Sequence, residues 1–321
     1  MAKSKGQTSF GEALRRSGLP LEYAVGQMLP KVGDILPKGR YYYEVDSKTC
    51  ETDIWALSGA AYGSFAVEHV WFIECKHRAN EKLWCFFPQA PNVVDLSKNA
   101  FFIDIVEKKH ERRMNRLRPL VSEIIPKVPV VGDGIELFVN DGGNWDTNPT
   151  SIDDAIRQAI MPIGSYIHNI VHDNFLLDYE IQWIELFLPI VVTTAQIRIL
   201  RKDSDWSKLE AFQKVEECFE PAPAVMCAFS TPDFVANYWK RCVEESTKRI
   251  FDSYPEVIKK SSYLSSLGET PRKVARNLSI KAVQGRPTRA LIVELGAFEK
   301  TLRDYRSEVY ATLGRVLPKG K

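Results

Sequence analysis

No stretch of this sequence approaches the run of about 18 uninterrupted apolar residues that a membrane-spanning helix requires. The basic N-terminus MAKSKGQTSF has no apolar segment behind it. A cytoplasmic chain with no membrane partner is therefore expected. CxxC pairs are also missing. The six cysteines, Cys50, Cys75, Cys85, Cys218, Cys227 and Cys242, are scattered, and none has a histidine at zinc-ligand spacing. That argues against a zinc ribbon or a disulfide framework and leaves reduced packing residues. There is no G-K-[ST] loop and no G-x-G-x-x-G, so Asp141-Gly142-Gly143 reads as a turn rather than a phosphate cradle. Nor is there an excess of one charge: 43 basic against 41 acidic side chains give +2. No internal repeat and no low-complexity linker divides the chain.

What is present is a globular composition, 45% apolar and 11% aromatic, enough for one large core or two modest ones. Ser9-Phe10-Gly11-Glu12 fits a capping box and predicts a short helix to Arg16, ended by Gly18. A second helix follows from Pro20, with Leu21, Val25, Met28 and Leu29 at helical spacing and Pro30 with Gly33 as its stop. Glu22 falls on the margin of that apolar face. Three strands are predicted next, at Arg40–Val45, Thr52–Leu57 and Glu68–Lys76.

Further strands are expected at Phe101–Val106, Ile135–Val139, within Ile184–Leu200 and at Val225–Phe229. A charged helix is expected at Glu107–Leu117. Ile156, Ile160, Ile163 and Ile167 mark one face of a helix from Ile152 to Val171, with a kink expected at Pro162 and Gly164. After Thr231 the pattern is mainly helical, clearest at Phe234–Phe251, with Leu291–Leu313 as the last helix. The fold class expected is α/β.

The third strand carries the chemistry. Val70-Trp71-Phe72-Ile73-Glu74-Cys75-Lys76 is an apolar run that acquires two charges at its end. Side chains alternate along a strand, so Glu74 and Lys76 share a face, while Cys75 points away and offers its carbonyl between them. A carboxylate beside a backbone carbonyl is half of a site for a hard cation such as Mg²⁺, and Asp53 on the neighbouring strand could supply the second carboxylate. Such a cation activates water and neutralises phosphoryl oxygens, and Lys76 could orient the water or stabilise developing charge.

In this order the residues resemble the PD-(D/E)XK nuclease superfamily. The matching positions are Glu22 in Leu21-Glu22-Tyr23, Asp53 in Glu51-Thr52-Asp53-Ile54-Trp55, and Glu74-Cys75-Lys76. Thr52 stands where the family's name has Pro. The resemblance implies a restriction-endonuclease-like αβββαβ core, a mixed central sheet flanked by helices. Ile152–Val171 would be its crossover helix and Ile184–Thr194 the strand that follows. The nuclease-like domain is expected at 1–230 with an insertion at about 78–150, and a mainly helical region at 231–321 that could pack on the same core.

The resemblance further implies a catalytic set of Glu22, Asp53, Glu74 and Lys76, with Asp53, Glu74 and the Cys75 carbonyl on Mg²⁺, for which Mn²⁺ could substitute. The activity implied is hydrolysis of nucleic acid, DNA ahead of RNA, in restriction, phage defence or DNA processing. A homodimer and partner proteins of a defence system belong to the same expectation. The alternative is an inactive nucleic-acid-binding or assembly protein of the same fold.

E-x-K by itself is a weak signal, and a second copy, Glu107-Lys108-Lys109, heads a charged run and is read as chance. A plain ion pair between Glu74 and Lys76 at the sheet end is the structural alternative. His77 and Arg78 could reach a substrate phosphate or be solvated loop charges, and Thr193 and Thr194 could approach the site or close a strand. Two basic tracts could follow a phosphate backbone: Lys109, Arg112, Arg113 and Arg116, and Arg272, Lys273, Arg276, Arg286 and Arg289. A solvated face explains either tract equally well. Segregated charge in a nearly neutral chain favours nucleic acid over a small phosphoester.

Overall fold

The computed structural model describes residues 9–63, 65–78, 82–88, 101–104, 128–176, 182–204, 214–229, 233–260, 262–285 and 288–317. Two helices come first, α1 (Phe10–Arg16) and α2 (Leu19–Val32). α2 runs two residues past Pro30 before Gly33 ends it at positive φ.

Three antiparallel strands follow, β1 (Leu36–Val45), β2 (Lys48–Tyr62) and β3 (Phe65–Lys76), each longer than its apolar pattern predicts. The β1–β2 turn places Asp46 and Ser47 both at positive φ, as a two-residue hairpin requires. Next come β4 (Leu83–Pro88), β5 (Phe101–Asp104), β6 (Val130–Val139) and β7 (Trp145–Asn148), then the long α3 (Ser151–Leu176). After it lie β8 (Gln182–Thr193), β9 (Gln196–Leu200), the short α4 (Val215–Cys218), β10 (Phe219–Pro221) and β11 (Ala224–Ala228). The remainder is α5 (Asp233–Ser253), α6 (Glu256–Lys260), α7 (Ser262–Leu267), α8 (Pro271–Gly285), β12 (Arg289–Glu294) and α9 (Leu295–Val316).

The strands form one mixed sheet in the order β1-β2-β3-β8-β12-β11-β6-β4-β9-β10, with β5 on β8 and β7 on β6. β3 and β8 are parallel over their full lengths, from Phe65 opposite Gln182 to Lys76 opposite Thr193. The chain is thus α/β, with helices on both faces of the sheet. Leu21, Val25 and Leu29 of α2 and Phe298, Leu302 and Tyr305 of α9 pack with Trp71 and Ile73 on one face. Residues of α3, α5 and α8 pack with Val70 and Phe72 on the other. Among the described residues no helix is long and apolar enough to cross a membrane.

One expectation is corrected. Leu291–Leu313 is not one helix: Leu291, Ile292 and Val293 belong to β12, inserted between β8 and β11, and the helix begins at Leu295. A short apolar run buried on both faces has no period to separate strand from helix. The mainly helical 231–321 region thus contributes an interior strand. Strands β4 and β6 of the presumed insertion likewise extend the same sheet beyond β11. The charged helix expected at Glu107–Leu117 lies outside the described residues.

Candidate functional site

Strand pairing brings Asp53 and Glu74 together. Ile54 pairs with Ile73 as the last rung of the β2–β3 ladder on this side, so the next residues outward are Asp53 and Glu74. The β1–β2 pairing is irregular at the same point. From Gly39 to Tyr41 β1 advances two residues, while β2 advances three, from Trp55 to Thr52. The extra residue is a bulge at Asp53–Ile54, a device that re-aims a side chain at the end of a ladder. Asp53 uses it to accept the Cys75 N–H on Oδ2 at 2.7 Å. A strand residue sends its N–H and C=O to the same side, so the Cys75 carbonyl also leaves β3 on the Asp53 side. The Cys75 side chain goes to the opposite face and is buried with Ile73 and Val192, its thiol pushed well up chiefly by that burial.

Glu74 and Lys76 point toward α3. The Lys76 ammonium donates to Glu74 Oε1 at 2.5 Å and to Gln158 Oε1 of α3 at 2.5 Å. The other Glu74 oxygen, Oε2, is buried with no hydrogen-bond partner among the described residues. Burial, with repulsion from Asp53 added, pushes the Glu74 carboxyl up to about 7 against the opposing pull of Lys76. Burial also raises Asp53, opposed by the Cys75 N–H. Both shifts are set first by burial, which disfavours the charged form.

Glu22 is close enough to act electrostatically on Asp53 and on Glu74, yet it is committed elsewhere. Its Oε2 accepts from Arg40 at 2.7 Å, and its Oε1 lies back over the start of α2, 3.7 Å from where a Cβ on Gly18 would stand. Arg40 also donates to Glu51 Oε1 at 2.8 Å. Thr52 donates to the main-chain carbonyl of Gln158 at 3.3 Å, which ties α3 to β2 beside Asp53.

The residues that follow the motif make hydrogen bonds within the fold. Arg78 donates to Glu136 Oε2 at 2.7 Å and to Ser151 Oγ at 2.9 Å, within a buried hub where Lys82, Trp84 and Ser151 also donate to Glu136. Arg78 is thus a clamp on Glu136 rather than a solvated loop charge. Thr193 Oγ1 and the Thr194 N–H donate to the Lys76 carbonyl, so these threonines close the strand end. His77 is half-buried, its Nδ1 3.4 Å from Thr194 Oγ1.

Of the basic tracts, Arg272, Lys273 and Arg276 are exposed on α8. Arg289 is corrected: it is buried on β12, and burial lowers its pKa, so it presents no cation to solvent. Lys109, Arg112, Arg113, Arg116 and Arg286 lie outside the described residues.

Gln158, Arg40 and Thr52 were not predicted as site residues. Gln158 had one indirect signal, Pro162 four residues later in the same helix; Arg40 had none, since its role depends on the meeting of α2, β1 and β2. Among the described residues no group of three or more His, Cys, Asp or Glu converges on a metal position. The protein ligands on offer are Asp53, Glu74 with its unpartnered Oε2, and the Cys75 carbonyl. That all-oxygen set suits Mg²⁺, which keeps several waters and takes one or two carboxylates. No family model, no curated protein and no solved structure matches this chain.

Proposed function

We propose that this chain is a Mg²⁺-dependent nuclease of the PD-(D/E)XK kind, acting on DNA ahead of RNA, with Asp53, Glu74 and Lys76 at its centre. The observation that carries the reading is the single corner where Asp53 faces Glu74 across the end of the β2–β3 ladder and Lys76 donates to Glu74. The order of elements supports it. A leading helix with Glu22, a three-stranded antiparallel meander, a crossover through α3 and a strand parallel to β3 follow the expected αβββαβ sequence. Strands β4 to β7 enter between the meander and α3.

A bound Mg²⁺ would polarise the scissile phosphate and make water nucleophilic near neutral pH. Asp53, Glu74 and the Cys75 carbonyl would hold that ion. Lys76, fixed between Glu74 and Gln158, places an ammonium where it can orient the attacking water and offset charge on the phosphoryl oxygens. The Cys75 N–H fixes the Asp53 carboxylate before substrate arrives, which limits reorganisation. Helix α8, with exposed Arg272, Lys273 and Arg276, packs on α5, which packs on the α3 that carries Gln158. Cations on this helical layer suit a substrate longer than one phosphoester.

The test is incubation of the purified chain with linear, circular and single-stranded DNA and with RNA, in Mg²⁺, Mn²⁺ or EDTA. Cleavage is expected with either metal and none in EDTA. Absence of cleavage on every substrate, or full activity in Lys76→Ala, would overturn the reading.

A further inference from the structure

We infer that Arg40 stands in for a second metal ion, so that this site takes a single divalent cation. The inference rests on the reading of Asp53 and Glu74 as metal ligands and specifies how many ions they hold.

Four carboxylates, Glu22, Glu51, Asp53 and Glu74, share this corner with two cations, Arg40 and Lys76. Lys76 answers Glu74, and the Asp53–Glu74 pair keeps the unpartnered oxygen. The other two acids are closed off by Arg40, which gives one guanidinium nitrogen to each. Glu22 is held by Arg40 on Oε2. It therefore does not join Asp53 and Glu74 as a third ligand.

Two-metal phosphodiesterases place their ions about 4 Å apart, so a second ion here would draw on carboxylates beside the first site. Here the carboxylates that would serve a second ion already hold a guanidinium. Arg40 also acts electrostatically on Asp53, so its charge bears directly on the first site. A second divalent ion would have to displace Arg40 or sit beside it against like charge. Removing Arg40 frees the Glu22 and Glu51 carboxylates, which are then open to another cation. Arg40 is thus a positioning residue: it sets the metal count through Glu22.

The test counts ions rather than turnover. The full chain, without nucleic acid, is titrated with Mn²⁺ and free Mn²⁺ is measured by electron paramagnetic resonance. One ion per chain is expected for the wild type, for Glu22→Gln, which removes an acid that is not a ligand, and for Arg40→Lys, which keeps the charge. Arg40→Ala and Arg40→Gln are each expected to take up a second, weaker ion, and Gln keeps a hydrogen-bonding side chain should Ala impair folding. Two ions on the wild type or on Arg40→Lys would overturn the inference. So would one ion on both neutral variants, or loss of the ion in Glu22→Gln. A wild type that binds no Mn²⁺ removes the metal-site reading itself, and this inference with it.

Discussion

The Thr52 hydroxyl donates to the main-chain carbonyl of Gln158, the carbonyl that Pro162 leaves without its usual partner inside α3. A helical carbonyl ordinarily accepts from the N–H four residues on, and a proline there has none to give. Helix α3 is thereby tied to β2 one residue from Asp53, and the same Gln158 extends its side chain to Lys76.

This relationship is measurable as a coupling. Thr52→Val should cost about 1 kcal/mol, because the Gln158 carbonyl loses its donor in a part-buried position. In a Pro162→Ala background, where residue 162 regains an N–H, the same substitution should cost much less. Urea denaturation of the four proteins measures the cycle, and equal costs in both backgrounds would remove the coupling.

The Lys76 and Gln158 side chains should separate chemistry from support. Lys76→Ala is expected to lower single-turnover cleavage by about 10²–10⁴-fold, the range for loss of a group that assists proton transfer. Gln158→Ala should lower it by about 10-fold, as loss of an orienting partner does. Both variants should still bind Mn²⁺, since neither side chain is a ligand. Failure of Lys76→Ala to bind the ion would move Lys76 from chemistry to architecture.

Glu74 gives a pH signature whose sign is fixed. Burial pushes its carboxyl from 4.5 up to about 7, so the folded chain holds the proton more tightly than the unfolded chain does. The stability this confers on the metal-free protein is full below pH 4.5 and is lost as pH rises toward 7. Glu74→Gln should therefore melt higher than wild type at about pH 8, with the gap closing by about pH 4. Mn²⁺ must displace the same proton, so its affinity for the wild type should weaken as pH falls through about 7. Melting curves with parallel pH dependence in both proteins would refute the assignment.

The Glu136 hub should behave as architecture. Burial acts to raise this carboxyl, but hydrogen bonds from Trp84, Lys82 and Arg78 outweigh it and hold it down to about 2. Its stabilising contribution is complete above pH 4.5 and is lost as pH falls toward about 2. Arg78→Ala should cost about 1.5–3 kcal/mol, the range for a hydrogen bond to a charged group, since Lys82, Trp84 and Ser151 still hold Glu136. It should leave the salt dependence of DNA binding unchanged. A lower salt slope in this variant would return Arg78 to the substrate surface.

The exposed α8 cations supply the complementary case. Each of Arg272→Ala, Lys273→Ala and Arg276→Ala should reduce the slope of log affinity against log salt by about 0.9 on duplex DNA if that side chain meets a phosphate. Stability should change little, because all three side chains are solvated. Unchanged slopes in the triple variant would place the DNA path elsewhere.

What the sequence alone determined follows from local periodicity. Glu74 and Lys76 had to share a face because strand side chains alternate, and the isoleucines from Ile156 to Ile163 predicted the buried stripe of α3. The capping and stop signals around Ser9, Gly18 and Gly33 located the first two helices for the same local reason.

Tertiary structure decided the rest. Only the ladder register and its bulge bring Asp53 opposite Glu74, only the packing of α3 takes Gln158 to Lys76, and only the meeting of α2 with β1 and β2 gives Glu22 and Glu51 to Arg40. β12 became an interior strand because parallel pairing with β8 and antiparallel pairing with β11 were both open to it, a competition that no window of sequence contains. Periodicity is a property of neighbours along the chain, whereas a charged corner is assembled from segments far apart in it, and its energetics exist only once they meet.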